Sequence, residues 1–188
     1  MEFSGKKVTV VGTGISGIGA VGLLNAVGAE VVLYDGNEKL KIEDIEKKLG
    51  TYKAEIVLGE LTKELTDSSD LLVISPGVPI DSPVVKAFEA AGVPVWGEVE
   101  LAYAFDKGKV LAITGTNGKT TTTALVGQIV GAYHKDTLVV GNIGNPYTTE
   151  VLKRNKDSYT VAEISSFQLE TVHEFHPLVS AILNITPD

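Results

Sequence analysis

No cysteine occurs among the 188 residues. Disulfides, thiolate metal sites and cysteine nucleophiles are therefore excluded. Positive charge is scarce: 16 lysines and arginines stand against 24 aspartates and glutamates, a formal net charge of −8. A chain this acidic has no general electrostatic attraction for DNA, RNA or an anionic membrane. Neither nucleic acid nor membrane is expected as a partner, and any phosphorylated ligand must be held by a local device. Long apolar runs are missing too: no stretch approaches the roughly 20 residues of a membrane span. Met1–Lys7 leads straight into a strand-like segment, without the apolar stretch and cleavage site of a signal peptide. A soluble cytoplasmic protein is the expectation.

The composition is otherwise that of a folded chain, 44% hydrophobic and 21% charged, long enough for one large domain or two small ones. Short apolar runs rich in β-branched residues alternate with longer helix-like segments. The runs are 8–11, 31–34, 56–58, 71–75 and 93–96, then 110–114, 138–140, 159–164 and 179–185. Helices are predicted near 16–27, 38–49, 83–91, 98–105, 119–132, 147–154 and 167–173. Alternation of this kind, with strands that are apolar throughout, predicts an α/β fold of parallel sheets covered on both faces. The pattern restarts near Gly97. Two tandem units are therefore expected, residues 1–97 and 98–188, each opening on a glycine-rich strand–turn–helix.

The first turn, Gly12-Thr13-Gly14-Ile15-Ser16-Gly17, fits G-x-G-x-x-G after a strand and at the head of a helix. Glycine permits a tight turn and close backbone approach, and a helix N-terminus favours an anion. Asp35 ends the second strand, where dinucleotide enzymes keep an acid for a ribose hydroxyl. The motif indicates a nucleotide-sized ligand. An NAD site, another nucleotide site and a purely structural turn all satisfy it.

The second turn, Thr114-Gly115-Thr116-Asn117-Gly118-Lys119-Thr120-Thr121, is more specific. Loop N–H groups can wrap a polyphosphate, Lys119 can reach its outer phosphates and the Thr120 hydroxyl can ligate Mg²⁺. The standard P-loop would need glycine at position 113, where Ile113 stands. That departure argues against a GTPase or motor ATPase. Two further segments close predicted strands. Asn142 lies in Val140-Gly141-Asn142-Ile143-Gly144, where small neighbours leave room for a phosphate. Glu163 interrupts an apolar strand near its C-terminal end, where open α/β sheets bind ligands, and suits Mg²⁺; a helix cap is its alternative.

Gly115–Thr121, Gly141–Gly144 and Glu163–Glu170 (EISSFQLE) together resemble the central domain of the Mur ligase family. The SSFQLE stretch, Ser75-Pro76-Gly77-Val78 and Pro94–Leu101 are similar to its D-glutamate-adding branch. The resemblance implies a Rossmann-like UDP-binding domain followed by a partial P-loop-type ATP-binding domain. It implies Ile15, Ser16, Asp35 and Gly36 around the uracil nucleotide, with Ser75 and Gly77 closing that pocket. ATP would lie on Gly115, Thr116, Asn117, Gly118, Lys119, Thr120 and Thr121, with Mg²⁺ on Thr120 and Glu163. Asn142 would meet the substrate diphosphate, and Ser165 and Gln168 the muramoyl side; Lys119, Asn142 and Glu163 would serve catalysis.

The activity implied is ATP-dependent joining of D-glutamate to UDP-N-acetylmuramoyl-L-alanine through an acyl phosphate, in a complete enzyme expected to be monomeric. By the same resemblance, the ligands of a second metal and the amino-acid-binding domain lie beyond Asp188, so this chain is expected to bind without turning over. A nicotinamide-dependent oxidoreductase would explain Gly12–Asp35 but not Gly115–Thr120. A non-catalytic nucleotide-binding module, or another ligase of the same class, stays open at this level.

Overall fold

A computed structural model describes residues 3–186. Two parallel sheets form. In the first, β1 (Lys7–Val11), β2 (Glu30–Asp35), β3 (Glu55–Leu58), β4 (Leu71–Ile74) and β5 (Val95–Gly97) are ordered β3-β2-β1-β4-β5. In the second, β6 (Lys109–Thr114), β7 (Thr137–Gly141), β8 (Tyr159–Glu163) and β9 (Val179–Ile182) are ordered β7-β8-β6-β9. The first order is that of a Rossmann-like unit, and both sheets bring their strand C-termini to one edge. Helices α1 (Ile15–Ala26), α2 (Ile42–Leu49), α3 (Lys63–Ser68), α4 (Pro83–Ala90) and α5 (Glu98–Tyr103) belong to the first half of the chain. Helices α6 (Lys119–Tyr133), α7 (Tyr147–Glu150) and α8 (Ser166–Leu169) belong to the second, with a turn of 3₁₀ helix at Val151–Lys153.

The continuous apolar strands have a simple cause. Successive side chains point to opposite faces. Val8, Val10, Leu33, Leu71 and Val73 enter one core, whereas Val11, Val32, Tyr34, Leu72 and Ile74 enter another with Val85 and Phe88. Both faces are covered, so neither can be polar. The first core does not stop at the first sheet. It runs through Val99, Leu101 and Ala102 of α5 to Val110, Ala112, Val140, Tyr147 and Ile164 of the second unit. At this seam α1 packs on α7. A Cβ on Gly19 would come within 2.7 Å of Thr148 Oγ1, so the glycine sets how closely the helices approach. Overpacking of this kind costs about 1–3 kcal/mol.

Asp106, in the loop before β6, pins the start of the second unit. Its carboxylate accepts from Tyr147 Oη at 2.6 Å, Thr160 Oγ1 at 2.9 Å and the Gly108 N–H at 2.6 Å. Burial and the Asp106 charge push the Tyr147 phenol well above its ordinary range, so it stays a donor.

Several boundaries depart from the sequence expectation. The helix predicted from Glu38 starts at Ile42, because Asn37 and Leu40 are held in turns: Asp35 Oδ1 accepts from the Asn37 N–H, and the Leu40 N–H donates to Asn37 O. The helix predicted over 167–173 is only Ser166–Leu169. The backbone N–H groups of His173, Glu174 and Phe175 turn instead to the Glu100 carboxylate. The run 179–185 pairs as a strand only to Ile182. Helix α3 was not foreseen; Thr62 Oγ1 caps it by accepting from the Leu65 N–H at 3.3 Å. Among the described residues no helix is long and apolar enough to cross a membrane.

Candidate functional site

The first glycine turn joins β1 to α1. Gly12 has φ +104°, and a Cβ there would lie 2.8 Å from Ser75 Oγ; a Cβ on Gly17 would overlap the Gly12 carbonyl oxygen. Both glycines are thus required by the turn itself, whatever it binds. Asp35, at the end of β2, accepts from Thr13 N at 3.3 Å and Thr13 Oγ1 at 3.0 Å. The acid therefore lies beside the turn, as the motif predicts. Gly36 is exposed next to it, and Ile15 stands 74% exposed at the head of α1. Neither Gly14, at the α1 N-cap, nor any side chain caps the helix, so its first N–H groups point outward. Ser75 follows β4 on the other flank, with its buried hydroxyl lacking a partner.

The second turn joins β6 to α6. Gly115 (φ +142°) and Gly118 (φ +83°) adopt backbone conformations that other residues avoid, and α6 also begins without a side-chain cap. Lys119 Nζ bends over the loop, 2.6 Å from Gly115 O and 3.0 Å from Thr116 O. Thr120 and Thr121 are exposed on the first turn of the helix. Asn184, just after β9, holds the loop from outside. Its Oδ1 accepts from the Asn117 N–H and its Nδ2 donates to Asn117 O, each at 2.9 Å. Sequence reasoning assigned Asn184 no such role, because nothing local to a residue 67 positions away reveals that β9 pairs with β6.

Glu163 ends β8 and faces Ile113 in register on β6, the strand that carries the loop. It is 1% exposed. One carboxylate oxygen accepts from Asn142 Nδ2 at 3.3 Å, and the other has no partner. Asn142 is fixed by its own N–H, which donates to Glu163 O at 3.0 Å. Gly141 before it has φ +101°, and a Cβ there would overlap the Glu163 carbonyl oxygen. Glu163 does not cap the helix that follows. Ser165 does: its hydroxyl accepts from the Gln168 N–H at 3.3 Å, and Gln168 Oε1 accepts from the Ser165 N–H at 2.8 Å, a reciprocal capping box. Among the described residues no three His, Asp or Glu side chains converge on one point. A hard cation at this edge would therefore rest on the one carboxylate, a threonine hydroxyl, phosphate oxygens and water, and the unpartnered oxygen of a buried carboxylate fits such a cation.

A cleft of about 710 Å³ is lined by several of these residues, with neither Thr120 nor Glu163 in its lining. Thr114–Thr116, Lys119, Asn142 and Asn184 line one side, Ser165–Phe167 another, and Pro76 with Gly77 reaches in from the first unit. Ile15, Asp35 and Gly36 lie outside it, at the first turn. Gln168 is not in it either. It is 3% exposed, and its amide is consumed beneath the wall by Ser165 and by Glu98, whose Oε1 accepts from Gln168 Nε2 at 2.9 Å. Burial pushes the Glu98 carboxyl above its ordinary range, against the opposing pull of Ser16 and Gln168. A depression of about 730 Å³ near Gly22, Tyr52 and Lys53 lies where β2 and β3 begin, the edge away from the strand C-termini where such sheets bind ligands.

Residues 6–97 match the family described as Mur ligase MurD-like, N-terminal domain, and residues 113–188 the Mur ligase middle domain. The whole chain is 71% identical to a UDP-N-acetylmuramoylalanine–D-glutamate ligase of Lachnospira eligens and 59% identical to that of Lachnoclostridium phytofermentans. It spans 42% of the length of each. Among solved structures, the UDP-N-acetylmuramate:L-alanyl-gamma-D-glutamyl-meso-diaminopimelate ligase of Neisseria meningitides covers 98% of the chain at TM-score 0.58 and 17% identity, over 62% of its own length. A murein peptide ligase from Psychrobacter arcticus covers 98% at TM-score 0.56 and 18% identity, over 44% of its length. Those two likenesses concern the fold.

Proposed function

The chain belongs to the Mur ligase family, and from that premise we propose that it supplies the nucleotide-binding front of an ATP-dependent ligase joining D-glutamate to UDP-N-acetylmuramoyl-L-alanine. Residues 1–97 hold the UDP end of the substrate and residues 98–188 hold ATP. One observation carries the reading. The loop after β4, which flanks the first glycine turn, opens into the same cleft as Lys119, Asn142 and Ser165. A ligand on the first turn can therefore extend toward a polyphosphate on the second.

In that arrangement Ile15, Ser16, Asp35 and Gly36 meet the uracil nucleotide, and Ser75 and Gly77 close over it. Asn142 orients the diphosphate side, and Ser165 borders the muramoyl group. The N–H groups of Gly115–Lys119 and the Lys119 ammonium hold the ATP phosphates. Mg²⁺ bound by Thr120, Glu163 and phosphate oxygens would screen the charge of the two anions. A terminal carboxylate oxygen of the substrate attacks the γ-phosphorus, the P–O bond to the β-phosphate breaks, and ADP leaves. The D-glutamate amine then attacks the carbonyl carbon, the C–N bond forms, the C–O bond to phosphate breaks, and the amine loses a proton. Holding both anions in one geometry is the main contribution of this chain's residues. Both nucleotides bind within these 188 residues, and the chain spans 42% of the length of its curated relatives.

Parallel calorimetric titrations with UDP-N-acetylmuramoyl-L-alanine, ATP and NAD test the proposal. The first two are expected to bind independently of each other's removal, and NAD to bind more weakly than the UDP compound. Tighter binding of NAD would overturn it in favour of a nicotinamide enzyme.

A further inference from the structure

Between the two nucleotide sites lies a buried carboxylate with no assigned part. Glu98 opens α5, directly after the last strand of the first sheet, and is 4% exposed. Three elements converge on it, and each carries a piece of a proposed ligand site. Ser16, from the first glycine turn, pulls the carboxyl down against its burial, and Ser75 Oγ lies where a Cβ on Gly12 of that turn would meet it at 2.8 Å. Gln168 donates from Nε2 to Glu98 Oε1 at 2.9 Å, and the same Gln168 fixes Ser165 through the capping box. The third is the loop after β4. A void of about 10 Å³, the order of one water, is bordered by Ser75, Pro76, Glu98, Gln168 and Thr171. Two buried polar atoms on this border lack partners, Ser75 Oγ and Glu98 Oε2. Buried groups of this kind are almost always satisfied, and one water shared by the two would satisfy both.

The backbone beneath is equally close. A Cβ on Gly97 would overlap Thr171 Oγ1, so β5 and the segment after α8 touch without a side chain between them. Glu100, one helical step on, receives the N–H groups of His173 and Glu174 at 2.8 Å each. The segment that forms the cleft wall is thus fastened to α5 at several points, and Glu98 among them also borders the void beside Ser75.

We propose that Glu98 is the positioning residue through which a nucleoside diphosphate on the first glycine turn orders the Ser165–Leu169 wall of the cleft. The inference rests on the assignment of the UDP end to that turn. A ligand that restrains Ser16 and Ser75 restrains the carboxylate between them, and the carboxylate restrains Gln168 and with it the cap of α8. This is a physical path: Ser75 packs on Gly12 of the turn, one void joins Ser75 to Glu98, and Glu98 accepts from Gln168. Glutamine serves it as glutamate does, because its amide oxygen can accept from Gln168 Nε2 and its other end can meet the water shared with Ser75.

Hydrogen exchange with UDP as the probe tests this. UDP lacks the muramoyl and alanyl groups, so protection in the cleft wall has to pass through the protein. Saturating UDP is expected to slow exchange of the Gln168, Leu169 and Glu170 amides about threefold or more, an effect of the size local opening permits. Glu98→Gln keeps the effect. Glu98→Ala and Gln168→Leu bind UDP but lose it. Protection persisting in both broken variants overturns the proposal, as does UDP binding to the unaltered chain with no change at residues 168–170; that second measurement needs no variant to fold. Failure of the unaltered chain to bind UDP at all removes the functional reading as well, and so is told apart from failure of the link alone.

Discussion

The two glycine turns use one backbone device for different ends. Both leave a strand's C-terminus, both need glycine at positive φ, and both start a helix without a side-chain cap. The surroundings differ. The first turn is packed against its own sheet: Gly12 sits on Ser75, Gly17 on Gly12, and the acid Asp35 holds Thr13. Its nearest cation, Lys48, reaches the Thr13 carbonyl oxygen at 3.3 Å from α2. The second turn carries its cation within the loop and is braced from outside by Asn184. An acid beside a turn suits hydroxyls and a base edge; a lysine inside one suits a polyphosphate. The glycines set the shape, and the charge beside them selects the ligand.

Removing that charge is the most direct way to break the comparison. In the complete enzyme Lys119→Ala is expected to lower turnover about 100- to 1000-fold, the range seen when one donor to developing charge is lost. UDP-N-acetylmuramoyl-L-alanine should bind this chain's Lys119→Ala variant as before, because the first turn does not depend on Lys119. Steady-state rates and calorimetry measure the two arms, and near-normal turnover would make Lys119 a solvated helix residue.

Glu163→Gln should come next. The side chain keeps its shape and can still accept from Asn142, but loses the charge of a buried oxygen that has no other partner. The Mg²⁺ concentration for half-maximal rate is expected to rise about tenfold, one buried charge interaction of about 1.4 kcal/mol. An unchanged Mg²⁺ dependence would remove Glu163 from the metal. Loss of a helix cap cannot be confused with this, since Ser165 supplies the cap.

A smaller effect should follow at the brace. Asn184→Ala deletes both side-chain hydrogen bonds to Asn117 and leaves Lys119 and the glycines in place. Each bond is worth about 0.5–1.5 kcal/mol, so ATP affinity is expected to fall about threefold to tenfold, with UDP binding unchanged. Equal weakening of both ligands would show that Asn184 supports the whole fold and not the second turn.

The sequence carried the parallel α/β class, the strand positions and both turns, because short continuous apolar runs and glycine spacing are local signals. Glu163 could be placed at the C-terminal end of its strand for the same reason: an acid breaking an apolar strand is visible without a partner. What it could not show were pairings across long separations. Asn184 on Asn117, Glu100 on residues 173–175 and Glu98 on Gln168 each join segments about 70 residues apart. The last of these turned Gln168 from an expected member of the cleft wall into a support beneath it. Helix α8 fell short of its pattern because Glu100 offers the N–H groups of 173–175 a better acceptor than the next helical turn.

The finest test of the comparison concerns the carboxyl that touches both sides. Burial raises the Glu98 pKa above its ordinary value in the folded chain. Below the unfolded pKa both states carry the proton, and Glu98 costs nothing as a charge. Between the unfolded and the folded pKa the folded state binds more protons, so stability falls as pH rises through that window. Above the folded pKa the full cost of a buried charge is present. Glutamine removes that charge, keeps the acceptor for Gln168 Nε2 and offers an N–H to the void that Ser75 also borders. Glu98→Gln should therefore raise the melting temperature at pH 8 on the order of 2–4 °C, what about 1 kcal/mol gives a protein of this size. The gain should shrink toward zero by about pH 4, near the ordinary carboxylate range. Melting curves of both proteins across that pH range decide it. An equal gain at every pH would mean that packing, not charge, separates the two side chains, and the carboxyl at the seam would then be ionised at no cost to the fold.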